Sequence, residues 1–353
     1  MKIILIATLC LSFFIPLAAL PLKETWPSQS QLDSVCSSWG LGEDLTLIRK
    51  VANFVYSGTF EDREVFVRLT SGQLRHPSAV EAELHWMNDL REKGAPVVAL
   101  VPNSSGELFE VIYGENSVYT VAVVEKAEGS PLDDYSSESM RAWGQSMGLL
   151  HRLSQEYKPP ESIQLRPSWK YNLFHQDLEY NLDPDAPWVY EVFQAITSWA
   201  ENLSKDQGDY GLIHADLHSG NFFINEGELS IFDFDDCCYH WYSYDVAVAI
   251  SSILRQSSPT VVPENYSEIL ASFLEGYERE YPLHPSIVEH LDIWLLYRVA
   301  LLCITQDAFE EATVLDKESE ASLEEWKKWC EAYILAHMDS VLSQLYEKKH
   351  GIG

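Results

Sequence analysis

The sequence predicts an α+β fold made of a small antiparallel sheet followed by a mainly helical part. Two stretches, residues 45–70 and 108–124, alternate apolar and polar residues with the period of a β-strand. From residue 137 onward, apolar residues recur at the three- and four-residue intervals of helices. A chain of 353 residues with 46% apolar content can bury one large or two medium cores. We therefore expect an N-terminal lobe over residues 30–127 and a C-terminal lobe over residues 128–349.

The first strands are expected between Leu45 and Thr70. The run LTLIRKVANFVYSGTF is interpreted as one strand, the turn-prone segment Glu61-Asp62-Arg63 follows it, and EVFVRLT is interpreted as its partner. A second pair is predicted over residues 108–124, around Gly114-Glu115-Asn116, and its last strand leads to the junction between the lobes. Between the two pairs, residues 77–91 predict a helix.

Helices are predicted in the C-terminal part from the same periodicity. They cover residues 137–153, 266–281, 287–309 and 318–346. The aromatic residues on them are expected to pack in the core.

A catalytic loop is indicated by His214-Ala215-Asp216-Leu217-His218-Ser219-Gly220-Asn221. These residues fit the pattern H-x-D-L-x-x-x-N, in which the Asp serves as base and the Asn holds Mg²⁺. We therefore predict that Asp216 is the catalytic base and that Asn221 is a metal ligand.

A β-hairpin is predicted directly after this loop. The β-rich runs FFIN and LSIFDF flank the turn at Glu226-Gly227, so the second run should return Asp233 to the side of Asn221. An amide oxygen and a carboxylate suit a hard cation such as Mg²⁺. The two motifs together predict metal-assisted phosphoryl transfer, which needs mainly positioning and charge neutralisation.

These two motifs resemble those of the aminoglycoside phosphotransferase and choline kinase family, which has a bilobal protein-kinase-like fold. HADLHSGN is similar to the family's catalytic loop, with Ala215 in place of the usual glycine, and IFDFDD is similar to its metal loop. The resemblance extends from about Leu32 to Leu345. It implies transfer of the γ-phosphate of Mg-ATP to a hydroxyl of a small molecule, such as an amino sugar or a choline-like alcohol, with ATP and Mg²⁺ as cofactors.

The resemblance also implies a nucleotide site in the first lobe. Arg68 stands where this fold normally carries a lysine that contacts the α- and β-phosphates, and arginine can bind phosphate through two nitrogens. Glu83 is the expected ion-pair partner of Arg68, with Glu81 as the alternative. Backbone groups near Glu125 and Ala127 are expected to contact the adenine.

Three further polar residues have possible roles in the site. Asp245 resembles the family's aspartate that holds the backbone of the catalytic loop in place. His151 has no acidic or cysteine neighbour in sequence and is interpreted as a structural histidine. The role of His218, inside the catalytic loop, is left open.

The segment after the metal loop favours a small acceptor. Only eleven residues separate Asp233 from Asp245, and no A-P-E anchor follows, so there is little room for a peptide-docking segment. Two alternatives stay open, a protein Ser/Thr kinase of the same fold and a nucleotide-binding pseudokinase, since arginine replaces the strand lysine. An exported structural or binding protein is a further alternative, resting on the N-terminal segment alone.

Charge excludes some partners. The net charge of −30 and the pI near 4.6 argue against nucleic acid, because a phosphate backbone attracts clustered Lys and Arg. The acidity is compatible with a cationic substrate, although a solvated acidic surface that aids solubility explains it more simply. The expected partner is therefore a small hydroxyl acceptor; the oligomeric state is not predicted.

The N-terminal segment suggests a different cellular location from that of an ATP-using enzyme. Lys2 is followed by eighteen uncharged residues, which is the layout of a secretory signal, so residues 1–22 are a candidate signal or membrane anchor. Export, a membrane anchor and a start codon assigned too early all remain open. Removing a signal would leave five of the six cysteines, an odd number that fits a disulfide framework poorly. We therefore expect reduced cysteines and a cytoplasmic protein, with export or anchoring through residues 1–22 as the alternative.

Overall fold

The structure, a computed structural model, describes residues 26–42, 44–50, 53–171, 183, 185–205, 208–312 and 317–350. The apolar segment at residues 1–22 lies outside them, so the predictions made for it stay predictions. Among the described residues, no helix combines the length and the apolarity needed to cross a membrane.

The N-terminal part is a five-stranded antiparallel sheet preceded by helix α1 (Gln29–Trp39). Its strands are β1 (Thr46–Lys50), β2 (Asn53–Phe60), β3 (Arg63–Ser71), β4 (Phe109–Tyr113) and β5 (Val118–Glu125), in the order β1-β2-β3-β5-β4. Helix α2 (Pro77–Glu92) connects β3 to β4. The sheet confirms the small antiparallel lobe that the alternation predicts.

The single strand predicted from LTLIRKVANFVYSGTF is wrong. The run forms two antiparallel strands, β1 and β2, with Lys50 opposite Phe54. Alternation continues through both strands and therefore does not reveal the reversal between them. Sixteen consecutive residues also exceed the usual strand length of about 3–10 residues.

The C-terminal part is mainly helical, as predicted. Its helices are α3 (Ser137–Glu156), α4 (Pro187–Ala200), α5 (Tyr242–Leu254), α6 (Tyr266–Glu278), α7 (Pro285–Glu289), α8 (Leu291–Ala312) and α9 (Lys317–His350). Two short antiparallel ribbons lie among them. One pairs β6 (Tyr210–Ile213) with β9 (Cys238–Trp241), and the other is the predicted hairpin of β7 (Phe222–Asn225) and β8 (Glu228–Ile231). Together with the sheet they form a bilobal α+β fold.

Helix α2 belongs to both halves of the molecule. A small cluster of buried residues lies under the sheet, but the buried side of α2 joins the larger cluster of the helical part. Trp86 of α2 meets Phe234 edge to face, with ring centroids 5.4 Å apart. The helix is therefore packed against the metal loop. Because α2 contacts both lobes, the predicted lobe boundary between residues 127 and 128, just after β5, stays a prediction.

Helices α3 and α6 approach each other closely through glycines. A Cβ atom at Gly144 would overlap the carbonyl oxygen of Phe273, and one at Gly276 would overlap that of Arg141. Only glycine allows the two backbones to lie this near each other, so these positions fix the close packing of α3 against α6.

We expect Gly144→Ala to lower the free energy of unfolding by about 2–3 kcal/mol, because the new methyl group must push two helix backbones apart. Urea unfolding followed by circular dichroism measures the change. Gly42→Ala is the matched control, because the nearest atoms to its Cβ would be 3.9 Å away. Equal stability of the two variants would contradict the close approach of α3 and α6.

The cysteines are reduced where they are described. Cys36, Cys237, Cys238, Cys303 and Cys330 are free thiols. Burial raises the pKa of Cys237 to about 12, so this thiol beside the metal loop is protonated and unreactive at neutral pH.

Candidate active site

The catalytic loop runs from the end of β6 to the start of β7 and is held by Asp245, as expected. The carboxylate of Asp245 accepts hydrogen bonds from the N–H of Ala215 at 2.9 Å and of His214 at 3.3 Å. Ala215 has a φ of 66°, in the left-handed region that favours glycine. This conformation explains why a glycine is usual at this position in the resembled family.

His151 contacts the carboxylate of Asp245. Its Nε2 lies 3.1 Å from the carboxylate of Asp245 and its Nδ1 lies 2.7 Å from the hydroxyl of Tyr277, with all three residues buried. The acidic partner that is missing from its sequence neighbourhood is supplied from α5. A structural role for His151 agrees with this geometry.

Asp216 is fully buried and its carboxylate is engaged on both oxygens. Oδ2 accepts a hydrogen bond from Nδ2 of Asn221 at 2.9 Å and lies 3.4 Å from Nε2 of His218. Oδ1 pairs with Nη2 of Arg298, which comes from α8. Burial alone raises the pKa of Asp216, but its contacts with His218 and with the charged Arg298 outweigh burial and hold the pKa well below its usual range.

His218, whose role the sequence leaves open, faces Asp216. Its Nδ1 accepts a hydrogen bond from the N–H of Gly220 at 3.0 Å. In the neutral ring the proton is therefore on Nε2, the nitrogen directed at Asp216. His218 thus orients the predicted base.

Asn221 and Asp233 are brought together by the hairpin. The N–H of Phe232 donates to the carbonyl of Asn221 at 3.0 Å, so Asp233 follows one residue beyond this pairing. The amide nitrogen of Asn221 donates to the carbonyl and to the carboxylate of Asp216, at 2.9 Å each. Its amide oxygen is therefore the atom suited to a cation.

Asp233 is a buried carboxylate that a bound cation would stabilise. It has a φ of 65°, and no hydrogen bond or ion pair joins its carboxylate to another described residue. Burial, and then the nearby charge of Asp235, raise its pKa. The described residues contain no group of three or more His, Cys, Asp and Glu side chains arranged as a metal site. Two oxygen ligands nevertheless suffice for an Mg²⁺ ion that keeps waters and shares phosphate oxygens.

Arg68 forms the predicted ion pair with Glu83, at 2.7 Å. The same nitrogen, Nη1, also lies 2.8 Å from the carboxylate of Asp235, a partner that the sequence did not suggest. The other terminal nitrogen, Nη2, is buried and has no hydrogen-bond partner among the described residues. An arginine held by two carboxylates with one donor to spare fits an anionic ligand such as a nucleotide phosphate.

Further polar residues form hydrogen bonds and ion pairs with the metal loop. Arg166 donates to the carbonyls of Asp235, Cys237 and Ala79 at 2.6, 2.7 and 2.8 Å, and so ties the loop to α2. Arg75 pairs with Asp236 at 2.8 Å. Asn53, at the start of β2, donates to the carboxylate of Asp235. Adjacent carboxylates in a loop predict basic partners, but the ion pairs span up to 167 residues of sequence and no local pattern identifies them.

Glu125 and Ala127 lie at the end of β5, where the chain passes to the helical part. The N–H of Glu125 already donates to the carbonyl of Ala99 at 2.9 Å, and its side chain pairs with Arg63 at 2.6 Å. Only the carbonyl of Glu125 is therefore suited to an adenine contact. Ala127 is partly buried against the larger core.

Arg298 is the other residue that the sequence reasoning missed. It stands in the run LDIWLLYRVALLCIT, where almost every neighbour is apolar and buried. A lone charge inside such a helix needs a specific partner, which is the signal that points to it.

A cavity of about 480 Å³ opens between the 134–136 segment and helices α5 and α6, and none of its lining residues belongs to the catalytic loop. It is lined by residues of the 134–136 segment, of the end of α5 and of the start of α6, including Tyr135, Ile253 and Ile269. The hydroxyl of Tyr135 lies 3.3 Å from Oγ of Ser219 in the loop. The volume is that of a small-molecule site.

Known proteins resemble this chain over most of its length. The model of the phosphotransferase enzyme family matches residues 44–287. Amicoumacin kinase from Bacillus subtilis (strain 168) is 25% identical over 309 residues, covering 85% of this chain and 91% of the relative. Homoserine kinase from Rhizobium meliloti (strain 1021) is 24% identical over 249 residues, covering 64% and 72%.

Solved structures are similar over nearly the whole chain. Amicoumacin kinase hAmiN in complex with AMP-PNP, Ca²⁺ and Ami has a TM-score of 0.76 and 26% identity, covering 87% of this chain and 93% of that one. The microcompartment-associated aminopropanol kinase has a TM-score of 0.72 and 19% identity, covering 90% and 100%. The second likeness is one of fold alone.

Proposed function

This chain belongs to the phosphotransferase enzyme family, and on that basis we propose that it transfers the γ-phosphate of Mg·ATP to a hydroxyl group of a small molecule. The observation that carries the proposal is the joining of Asp216 to Asn221 by a 2.9 Å hydrogen bond, on a loop that the hairpin with Asp233 follows directly. Relatives that are kinases of amicoumacin and homoserine support a small-molecule acceptor.

Arg68 is proposed to hold the nucleotide phosphates. Its buried Nη2 has no partner among the described residues, while Glu83 and Asp235 fix the rest of the guanidinium. The carbonyl of Glu125 and the N–H of Ala127 are proposed to contact the adenine. A solved relative that contains AMP-PNP supports a nucleotide in this cleft.

Asn221 and Asp233 are proposed to hold the metal ion. Their amide and carboxylate oxygens suit Mg²⁺, and the Ca²⁺ in the relative's complex supports a divalent cation. When bound, such an ion neutralises the charge that develops on the phosphate oxygens.

Asp216 is proposed to accept the proton of the acceptor hydroxyl as that oxygen attacks the phosphorus. His218 and Asn221 orient its carboxylate, and Asp245 keeps the loop backbone in place through its two hydrogen bonds. The cavity lined by Tyr135, whose hydroxyl contacts Ser219 of the loop, is the proposed entrance for the acceptor. Between the metal loop and α5 the chain forms only β9 and its connections, which supports a small acceptor over a peptide.

The proposal is tested by ADP formation from Mg·ATP across a panel of amino sugars, amino alcohols and hydroxy acids, with phosphorus NMR to identify the phosphoester. We expect turnover that depends on an acceptor and stops on addition of EDTA. Nucleotide binding without ADP formation against any acceptor would instead indicate a pseudokinase, and labelling of added proteins would indicate a protein kinase.

We expect Arg68→Lys to keep most of the activity and Arg68→Met to raise the KM for ATP by at least about 10-fold. A lysine restores the buried positive charge but loses the second donor, whereas methionine also leaves Glu83 and Asp235 without their shared cation. Steady-state kinetics with varied ATP measure the effect. Arg279→Gln, at an exposed arginine of the helical part, is the control. An unchanged KM in Arg68→Met would exclude Arg68 from the nucleotide site.

A further inference from the structure

Arg298 is a buried cation whose donors are only partly used. Its residue exposure is 2%, and Nη2 pairs with Asp216. Nε and Nη1 are buried and make no hydrogen bond to a described residue. The hydroxyl of Tyr244 is the second side-chain hydrogen-bond partner of the guanidinium, beside Asp216. Buried donors in native proteins are almost always satisfied, so these two nitrogens indicate a missing partner.

The same arginine blocks the proposed base. Asp216 has no exposed surface, because Arg298 covers Oδ1 while Asn221 and His218 face Oδ2. An acceptor hydroxyl cannot transfer its proton to Asp216 until one of the two carboxylate oxygens of Asp216 loses its present partner. Asn221 and His218 belong to the catalytic loop itself, whereas Arg298 comes from a separate helix, so a change of partner at Arg298 would leave the loop in place.

We propose that Arg298 binds a carboxylate of the acceptor, so that the acceptor is a small hydroxy acid whose binding releases Asp216. This inference rests on the proposed function and narrows its acceptor to a class different from amino sugars and choline-like alcohols. A carboxylate satisfies the free donors of the guanidinium and can be bound through two parallel hydrogen bonds. An ammonium group at the same place would face a buried positive charge.

Charge balance supports a carboxylate over a neutral amide. Arg298 and Asp216 neutralise each other in the acceptor-free protein. An amide offers Arg298 a hydrogen bond but no negative charge. A carboxylate supplies the negative charge that Asp216 otherwise gives to Arg298, and Asp216 is then a base without a paired cation. Arg298 is therefore a specificity-determining residue that couples acceptor recognition to exposure of the base.

The test compares hydroxy acids with their own amides. Isothermal titration with Mg·AMP-PNP present measures binding of L-homoserine and L-homoserinamide, of γ-hydroxybutyrate and γ-hydroxybutyramide, and of aminopropanol, and ADP formation measures turnover of each. We expect at least one acid to exceed its amide by about 10²-fold or more in affinity and in kcat/KM. In Arg298→Gln this ratio should fall close to one, while Arg298→Lys should keep an intermediate ratio and Arg279→Gln the full one.

Two results would overturn the inference: amides or aminopropanol used as well as the acids by the wild type, or no binding of any acid. Because the wild-type comparison needs no variant, poor folding of Arg298→Gln does not weaken the test. Failure of the proposed function is seen separately, as the absence of any ADP formation that Asp216→Asn removes.

Discussion

Asp216→Asn is expected to lower kcat for phosphoryl transfer by about 10²–10⁴-fold, the usual contribution of a general base. An amide cannot accept the proton of the acceptor hydroxyl. Nucleotide affinity should hardly change, because the proposed nucleotide contacts are made by Arg68 and by backbone groups at the end of β5. Initial rates with saturating acceptor and a separate titration of AMP-PNP measure the two quantities.

The same change should also weaken the fold. Asp216 is the ion-pair partner of buried Arg298, so its neutralisation leaves a guanidinium without its counter-charge, at a cost of about 3–5 kcal/mol. Rates must therefore be compared at equal folded fraction, which urea unfolding provides. The double variant Asp216→Asn with Arg298→Gln should regain stability but not activity. Exposed Asp339 supplies the control Asp339→Asn; activity close to wild type in folded Asp216→Asn would exclude Asp216 as the base.

Asp233→Asn is expected to abolish metal-dependent turnover, with a loss of at least about 10²-fold in kcat/KM at millimolar Mg²⁺. The substitution leaves two neutral amide oxygens where an amide and a carboxylate are proposed to hold the cation. Activity titrated with Mg²⁺ should show weaker apparent metal binding. The nucleotide affinity of the variant should be the same with and without Mg²⁺.

The free energy of unfolding should distinguish Asp233→Asn from Asp216→Asn. The carboxylate of Asp233 has no hydrogen bond or ion pair among the described residues, and burial with the charges of Asp235 and Asp216 outweighs the attraction of Arg49 and Arg68. Removing its charge relieves repulsion, so metal-free Asp233→Asn should be more stable than the wild type, whereas Asp216→Asn should be less stable. Urea unfolding in EDTA measures both. A destabilised Asp233→Asn would mean that Asp233 has a structural partner instead of a bound cation.

The local parts of the site could be predicted because they depend on short stretches of chain. The loop from His214 to Asn221 and the hairpin after it are specified by a motif, a turn and two β-rich runs, and the hairpin pairs as expected. The helix carrying Glu83 begins at the predicted residue, and Arg68 reaches it because strand and helix are close in sequence. The strand error between β1 and β2 arose because alternation does not show where a chain reverses.

The remaining contacts depend on how distant elements pack. Arg298 reaches Asp216 across 82 residues and His151 reaches Asp245 across 94, so no spacing rule connects them. A sequence shows that a charge stands in an apolar helix, but only packing decides which opposite charge it meets.

By itself, the sequence determined the two-part α+β architecture, the catalytic loop, the hairpin that follows it and the family, because periodicity and turn chemistry act over a few residues. Only the tertiary structure decided which cations surround the carboxylates of the metal loop and that Arg298 covers Asp216. Such pairs form where the fold excludes water, since a buried charge needs a partner whichever part of the chain supplies it.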